Sequence, residues 1–455
     1  MEDARKNPAL DKAWLTTLCV LSGLAVFALQ TLAVLGPAYI WQQDTKDYLQ
    51  MFDGVDALLA GRDVYFAKRA GSNLFFAYPP ACAALMAPFA IFAPAARVAV
   101  WSALHPFALA LLVYLSGRLF ELKTRREWLY LVSFATVACF ALCQLEILEG
   151  QINVFVACLV TGGLLLLKRE RVFWGTLLLA LATQIKVTPA VFGLAFLVCA
   201  QWRTLGLYVL NLLLIGLLPL LFSVPALGFS DGVAFNFDMH VYYIKDVLLA
   251  AATRGEYFDA SMYRWQNLSI PGMLHRLFDA NAIAGVGNDE PGAVLFSLPP
   301  LLLGLAARFA TLGMLGVAAW QLRKHRNDFR LWSGIAILLW LAFQVGNLVF
   351  WEHHLLTIIP VFAFLLSLKW PRKGQVLGLI SAAFLLVFSV PRLLDFAPAV
   401  KLTAPDVSKL AFYGKYGITT LLVVATWGAA LYIATRLQKQ PGEEEAAEAV
   451  PKAEG

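Results

Sequence analysis

Long apolar stretches recur along the whole chain and are separated by short polar connectors. Most approach the roughly 20 residues that a helix needs to cross a bilayer, although the fifth and sixth are shorter. The stretches lie at about Trp14–Ile40, Val98–Phe120, Trp128–Leu145, Ile152–Leu167, Val172–Thr183, Pro189–Ala200, Leu205–Val224, Leu295–Leu322, Leu331–Phe350, Leu355–Leu368, Val376–Val390 and Tyr416–Leu437. They predict an all-α polytopic membrane protein, a bundle of about 12 transmembrane helices.

The fifth and sixth stretches could instead form one kinked helix, which would invert the orientation of every later span. The distribution of positive charge decides between the two options. With twelve spans and a cytoplasmic N-terminus, the basic clusters Arg323–Arg330 and Lys369–Lys373 fall inside, whereas merging the two stretches would put them outside. Because cytoplasmic connectors are enriched in Lys and Arg, the pattern favours twelve spans with both termini in the cytoplasm.

The predicted outer connectors include three loops, at about 41–97, 225–294 and 391–415. The segment Met273–Phe278 has an amphipathic pattern, so we expect short interfacial helices in these outer loops. Residues 1–437 are expected to form one transmembrane catalytic unit. Residues 438–455 are rich in Glu, Ala and Pro and are expected to be a disordered cytoplasmic tail.

Composition narrows the class of protein further. The chain is 60% hydrophobic and only 15% charged, too apolar for a soluble globular protein. Its net charge of +6 is scattered beside apolar stretches, which does not indicate nucleic-acid binding. Nearly all of the six cysteines fall in apolar stretches, and the cysteines and histidines have no metal-ligand spacing. We therefore expect the cysteines to pack in the bundle, and we expect no metal and no other cofactor.

Unusual polar residues fall in connectors on a single side of the membrane, the side away from the cytoplasm. Six groups share this side: Asp47, Tyr78-Pro79-Pro80, Gly150-Gln151-Ile152-Asn153, Lys186-Val187-Thr188-Pro189, Gln266-Asn267-Leu268-Ser269 and Trp351-Glu352-His353-His354. Polar groups at membrane depth are costly and usually serve a ligand or a pathway. Their convergence predicts one shared cavity.

These residue types suit the transfer of a sugar from a lipid phosphate to a hydroxyl. A carboxylate can take the proton of the hydroxyl, while lysine and histidine stabilise the phosphate and amides orient the sugar. Each group also has a simpler interpretation: a solvated carboxylate for Asp47, a side chain that extends to the interface for Lys186, and the start of a helix for Tyr78-Pro79-Pro80. The simpler interpretation of Gln151 and Asn153 is that they cap or bridge helices, and that of the two histidines is an interfacial position.

The order of these motifs resembles glycosyltransferase family 87, which comprises polyprenyl-phosphate-sugar-dependent transferases of the GT-C fold, including bacterial α-1,2-mannosyltransferases. The resemblance spans roughly positions 40–370. It rests on Asp47 with Ala57-Leu58-Leu59-Ala60-Gly61 and Asp63-Val64-Tyr65, on Phe76-Ala77-Tyr78-Pro79-Pro80, on Gly150, Gln151 and Asn153, on Lys186 and Pro189, on Gln266, Asn267 and Ser269, and on Glu352, His353 and His354.

The resemblance implies a GT-C-like bundle in which Asp47 is the catalytic base of an inverting displacement. It implies that Lys186 and one of His353 and His354 lie near the donor phosphate. Donor binding is expected to involve Gln151, Asn153, Gln266 and Asn267, with Tyr78 and Glu352 in support. The partners would be a polyprenyl-phosphate sugar, with mannose as the expected sugar, a lipid or glycan acceptor, and membrane lipids. The expected location is the plasma (inner) membrane, with the active site on the extracytoplasmic side.

Three alternatives stay open at this point. A polymerase or ligase of lipid-linked glycans would favour arginine-rich outer loops, and few arginines lie there. A lipid or solute transporter would favour ionisable residues at mid-membrane depth, of which Arg308 is the main candidate. A membrane scaffold without chemistry would leave the one-sided polar residues unexplained.

Overall fold

The chain folds into a bundle of helices joined by short connectors. The computed structural model describes residues 47–67, 76–250, 267–279, 294–370, 373–389 and 416–436. The α-helices of these segments are α1 (Asp47–Leu59), α2 (Pro80–Met86), α3 (Pro94–Leu119), α4 (Arg125–Ser133), α5 (Phe140–Leu148), α6 (Asn153–Lys168), α7 (Val172–Ile185), α8 (Val191–Val198), α9 (Trp202–Gly216), α10 (Leu220–Leu227), α11 (Phe229–Tyr242), α12 (Ile270–Phe278), α13 (Pro300–Lys324), α14 (Phe329–Gly346), α15 (Ile358–Ser367), α16 (Lys373–Phe384) and α17 (Ile418–Arg436).

The described residues confirm an all-α polytopic membrane protein. By length and composition, five of their helical stretches could cross a membrane, one of which is α9 together with α10 (Trp202–Leu227). A sixth span is added if the bent pair α4–α5 counts as one. Shorter apolar helices such as α6 and α7 were also predicted as spans. The predicted first span, Trp14–Ile40, and the predicted tail, 438–455, lie outside the described residues, so the count of twelve stays a prediction.

Helix α14 forms the centre of the bundle. In the most apolar stretch of α14, 78% of the residues are buried, against 17% in that of the neighbouring helix α13. Its two tryptophans are almost completely buried: Trp332 stacks on Phe196 of α8, and Trp340 donates a hydrogen bond to the hydroxyl of Thr188. Helix α14 is therefore surrounded by other helices, whereas α13 exposes apolar side chains to the surroundings of the bundle.

The fifth and sixth predicted spans are separate helices, α7 and α8. Between them, Lys186 adopts an extended conformation and a short 3₁₀ turn covers Thr188–Ala190. Both helices pack against α9, and α8 also packs against α14. The single kinked helix that we considered as an alternative therefore does not form.

The third predicted span bends sharply in its middle. A π-helical turn, Phe134–Ala138, precedes a 59° change of direction between α4 and α5. The hydroxyl of Ser389 donates to the carbonyl of Ala138 at 2.9 Å and accepts from the amide of Ala141 at 3.3 Å. Because a bend frees backbone groups that must be satisfied inside a membrane, Ser389 stabilises this one. The sequence pattern did not predict the bend.

Polar motifs and basic connectors lie at opposite ends of the bundle. Helix α6 begins at Asn153, which bonds to Lys186, and ends at Lys168, which pairs with Glu121 at 2.9 Å. A helix of this length separates the two contacts by about 24 Å. Near the second contact, the guanidinium of Arg330 donates to the carbonyl of Ser367. The polar motifs therefore lie at one end of the bundle and basic residues at the other, as the sequence predicts.

Most of the described residues in the outer loops are helical. The amphipathic segment in the second loop forms α12, whose first turn is capped by the side chain of Ser269. Helix α11 and the π-helical turn Tyr243–Leu249 add a longer helix to this loop. Five cysteines are described, and each is a buried free thiol, as expected for packing residues: Cys82, Cys139, Cys143, Cys158 and Cys199.

Candidate active site

A buried carboxylate organises the first turn of α6. Glu146 of α5 is 1% exposed, and its two oxygens accept from the backbone amide of Val154 at 2.7 Å and from the side-chain amide of Asn153 at 2.9 Å. Asn153 also donates to the side-chain oxygen of Gln151 at 3.3 Å. A carboxylate at a helix N-terminus satisfies backbone donors and interacts favourably with the helix dipole.

Lys186 extends this network toward the connector after α7. Its ammonium group donates to the side-chain oxygen of Asn153. Lys186 is part-buried, whereas Asn153 and Glu146 are buried, so the charge of the lysine lies at the edge of the network. A partly desolvated ammonium group of this kind can hold a phosphate.

The turn between α14 and α15 brings two histidines to the same place. His353 and His354 lie in a 3₁₀ turn, Glu352–Thr357, that packs against α5 and α6. Their rings meet edge to face, with centroids 4.7 Å apart. Burial lowers the pKa of both imidazoles well below the usual range, and the positive charge of Lys186 lowers it further. Both rings are therefore neutral near pH 7.

The two histidines differ in their hydrogen bonds. Nδ1 of His354 accepts from the backbone amide of Trp351 at 3.3 Å, which leaves Nε2 to carry the proton of the neutral ring. Nε2 of His353 is buried and has no hydrogen-bond partner among the residues that the structure describes. Glu352, beside them, is 2% exposed. Each imidazole can thus offer a neutral N–H donor to a ligand.

Asn267 and Ser269 hold this turn in place. The side chain of Asn267, which is fully buried, accepts from the amide of Phe350 at 3.0 Å and donates to the carbonyl of Leu348 at 2.9 Å. The hydroxyl of Ser269 donates to the same carbonyl. In the described structure the amide of Asn267 therefore positions the histidine turn. Gln266, predicted with it, lies outside the described residues.

Helix α1 begins at Asp47 and packs directly against the start of the polar network. Gly150 has a φ of +63°, and a Cβ on it would lie 2.2 Å from the ring of Tyr48. The carbonyl of Gly150 accepts from the indole of Trp101 at 2.8 Å. Glycine therefore allows the close approach of α1 at this point. The side chain of Asp47 lies outside the described part of the structure.

The Tyr78-Pro79-Pro80 motif begins helix α2, as the simpler interpretation holds. The carbonyl of Tyr78 accepts from the hydroxyl of Tyr65 at 2.9 Å. The neighbouring Phe76 packs against Gly54 of α1, where a Cβ would lie 2.5 Å from its ring. The segment just before α2 thus packs against α1 as well.

Two buried residues escaped the sequence analysis, Glu146 and His105. Nε2 of His105 lies 2.7 Å from the carbonyl of Gln151, and its Nδ1 lies 2.8 Å from the carbonyl of Trp101. A small cavity lies between His105 and Glu146. A charged residue within the apolar stretch of α5 was the available signal for Glu146. Arg308, which we had considered as the main deep charge, is exposed on α13.

The structure brings together Gln151, Asn153, Lys186, Asn267, Glu352, His353 and His354, with α1 and Tyr78 alongside. This arrangement can hold an anion beside Lys186 and the histidines. It can also place a polyhydroxyl group beside the amides. Within the described ranges, no group of three or more His, Cys, Asp or Glu side chains could hold a metal ion.

Comparison with known proteins gives two findings. The family model of glycosyltransferase family 87 matches residues 76–343. A curated relative from Mycobacterium tuberculosis (strain ATCC 25618 / H37Rv) is 27% identical over 361 residues, which cover 74% of this chain and 73% of the relative. That protein is named polyprenol-phosphate-mannose-dependent alpha-(1-2)-phosphatidylinositol mannoside mannosyltransferase.

Proposed function

Because the chain belongs to glycosyltransferase family 87, we propose that it transfers mannose from a polyprenyl-phosphate donor to an acceptor hydroxyl. The observation that carries this proposal is the convergence of Lys186 with His353 and His354 beside the amide of Asn153. A cation and neutral N–H donors suit a phosphate, while amides suit a sugar. The dependence of the curated relative on polyprenol-phosphate-mannose supports the choice of donor.

The mechanism would be a single inverting displacement. Asp47, at the start of α1, takes the proton of the acceptor hydroxyl as its oxygen attacks the anomeric carbon. The bond from that carbon to the phosphate oxygen breaks, and the lipid phosphate leaves as an anion beside Lys186. Because a phosphate leaves without a proton, the reaction needs one base and no dedicated acid. Lys186 and the neutral imidazoles stabilise the charge that grows on the phosphate.

The proposed site faces the extracytoplasmic side of the plasma membrane. The basic residues Lys168, Arg330 and Lys373 lie at helix ends on the opposite side of the bundle, and Lys and Arg are enriched on the cytoplasmic side of membrane proteins. A polyprenyl chain has the length to lie along the bundle in the bilayer while its phosphate reaches the membrane surface. Residues 1–437 would then act as one catalytic unit.

The test is turnover in detergent with radiolabelled polyprenyl-phosphomannose and a lipid extract as acceptor. We expect wild type to transfer the sugar and Asp47→Asn to lose at least about a hundredfold in rate, the size typical of general-base catalysis. Asp56→Asn is the matched control. Asp56 lies on the same helix, and its half-exposed side chain pairs with Arg97. It should remain active.

The outcomes separate the two parts of the proposal. Equal activity of Asp47→Asn and wild type would refute the base assignment. If wild type released no polyprenyl phosphate, the mannose donor would be wrong, and donors with other sugars would be tested next.

A further inference from the structure

Glu146 connects α5 to α6 in a way that also determines the orientation of Asn153. One carboxylate oxygen accepts from the amide of Val154, and the other accepts from the NH₂ group of Asn153. Both oxygens thus accept hydrogen bonds. The NH₂ group of Asn153 must therefore face Glu146.

The carbonyl oxygen of the same amide then has a fixed direction. It faces the ammonium group of Lys186, which donates a hydrogen bond to it. With the amide reversed, its oxygen would face a carboxylate and its NH₂ group would face an ammonium group, and both contacts would be repulsive. Glu146, Asn153 and Lys186 therefore form a chain with one stable direction.

This chain restricts the position of Lys186. It lies at the end of α7 in an extended conformation, and its long side chain has many rotamers in isolation. A hydrogen bond to an amide that is itself fixed removes much of that freedom before any ligand binds. Prior ordering of this kind increases affinity, because the ligand does not have to order the side chain.

We propose that Glu146 is a positioning residue that acts through Asn153 to hold Lys186 at the donor phosphate. This inference rests on the proposed function for the identity of the ligand. The Glu146–Asn153–Lys186 connection itself is independent of the substrate.

In Glu146→Gln the one remaining oxygen accepts from the amide of Val154, and the new NH₂ group faces Asn153. The amide of Asn153 then reverses, and its NH₂ group repels the ammonium group of Lys186. We expect the KM for polyprenyl-phosphomannose to rise about tenfold to a hundredfold. Glu121→Gln is the matched control, since Glu121 pairs with Lys168 at the opposite end of α6. It should leave the KM within about threefold of wild type.

A double-mutant cycle distinguishes positioning from a purely structural role. If Glu146 acts through Lys186, the Glu146→Gln/Lys186→Gln double variant should be no more than about threefold worse than Lys186→Gln alone. A loss equal to the product of the two single losses would overturn the inference. If Glu146→Gln does not fold, Asn153→Ala cuts the same chain at its middle and enters the cycle instead.

A second measurement needs no substrate. Acetylation of Lys186 by an amine-reactive reagent, followed by peptide mass spectrometry, reports how firmly its ammonium group is held. We expect Lys186 to react at least about threefold faster in Glu146→Gln than in wild type or Glu121→Gln. An unchanged rate would overturn the positioning role even if the enzyme is active. If Lys186 reacts faster in Glu146→Gln but wild type does not turn over polyprenyl-phosphomannose, only the proposed donor would be refuted.

Discussion

The ring of Tyr48 lies so close to Gly150 that a Cβ at residue 150 would be 2.2 Å from the ring carbon Cδ1. Gly150 also has a φ of +63°, a left-handed conformation that side chains make costly. Both conditions hold at the residue where the chain turns from α5 into the network around Asn153. The contact therefore joins the helix that begins at Asp47 to the phosphate side of the proposed site.

Replacing Gly150 with alanine should move α1 away from the network around Asn153. The left-handed backbone alone costs about 1–3 kcal/mol with a side chain, and Tyr48 must also move. We expect Gly150→Ala to lower sugar transfer at least about tenfold in the radiolabel assay and to lower the thermal unfolding midpoint.

Gly206 provides the control for that variant. It lies within α9, and a Cβ on it would meet nothing within 4 Å. Gly206→Ala should retain activity and should be equally or more stable, because alanine favours a helix over glycine by roughly 0.5–1 kcal/mol. Full activity of Gly150→Ala would show that the approach of α1 to Gly150 does not matter for transfer.

Lys186 is expected to bind the donor through its charge. Lys186→Gln keeps much of the side-chain length and removes the positive charge, so the KM for polyprenyl-phosphomannose should rise by about tenfold or more, in line with the loss of a charged hydrogen bond of roughly 1.5–3 kcal/mol. Initial rates over a range of donor concentrations measure this effect.

Lys168→Gln is the comparison for Lys186→Gln, because Lys168 lies at the other end of α6 in an ion pair with Glu121. It should change the donor KM less than about twofold. Equal effects of the two variants would mean that overall charge, rather than a local contact, governs donor binding.

The meeting of the polar motifs could be predicted from the sequence, because alternating spans place Asn153, Lys186 and His354 at the same end of the bundle. The role of Glu146 could not. It depends on the bend after Ala138, which directs α5 toward α6 and is stabilised by Ser389, some 250 positions away along the chain. Hydrophobic pattern reports which residues are buried, but it does not report where a helix bends or which distant hydroxyl satisfies the freed backbone.

Asn267 illustrates a second limit. Its residue type suggested a sugar contact, but in the structure its amide bonds to the backbone of Leu348 and Phe350. An asparagine side chain can serve either purpose, and only the fold decides between them. The same holds for Ser269, whose hydroxyl caps α12.

Asn267→Ala should therefore act mainly on stability. It leaves the buried amide of Phe350 without its acceptor, at a cost of about 1–3 kcal/mol. We expect a lower thermal unfolding midpoint, followed by reduced activity because the histidine turn loosens. Asn327→Ala, at an exposed position before α14, should change neither property. An Asn267→Ala protein with wild-type stability and a raised donor KM would instead indicate a direct sugar contact.

His353 should make the stability of the protein sensitive to acid. Burial and the charge of Lys186 keep the pKa of its imidazole in the fold well below the usual range, whereas the unfolded chain binds a proton near pH 6.5. Stability should therefore be unaffected by this residue above about pH 7 and should fall as the pH drops below about 6.5, by up to about 1.4 kcal/mol per pH unit.

Unfolding midpoints measured in detergent from pH 8 to pH 5 report the slope of stability against pH. His353→Gln should make the slope shallower. Equal slopes for wild type and His353→Gln would show that this imidazole takes up its proton as readily in the folded protein as in the unfolded chain.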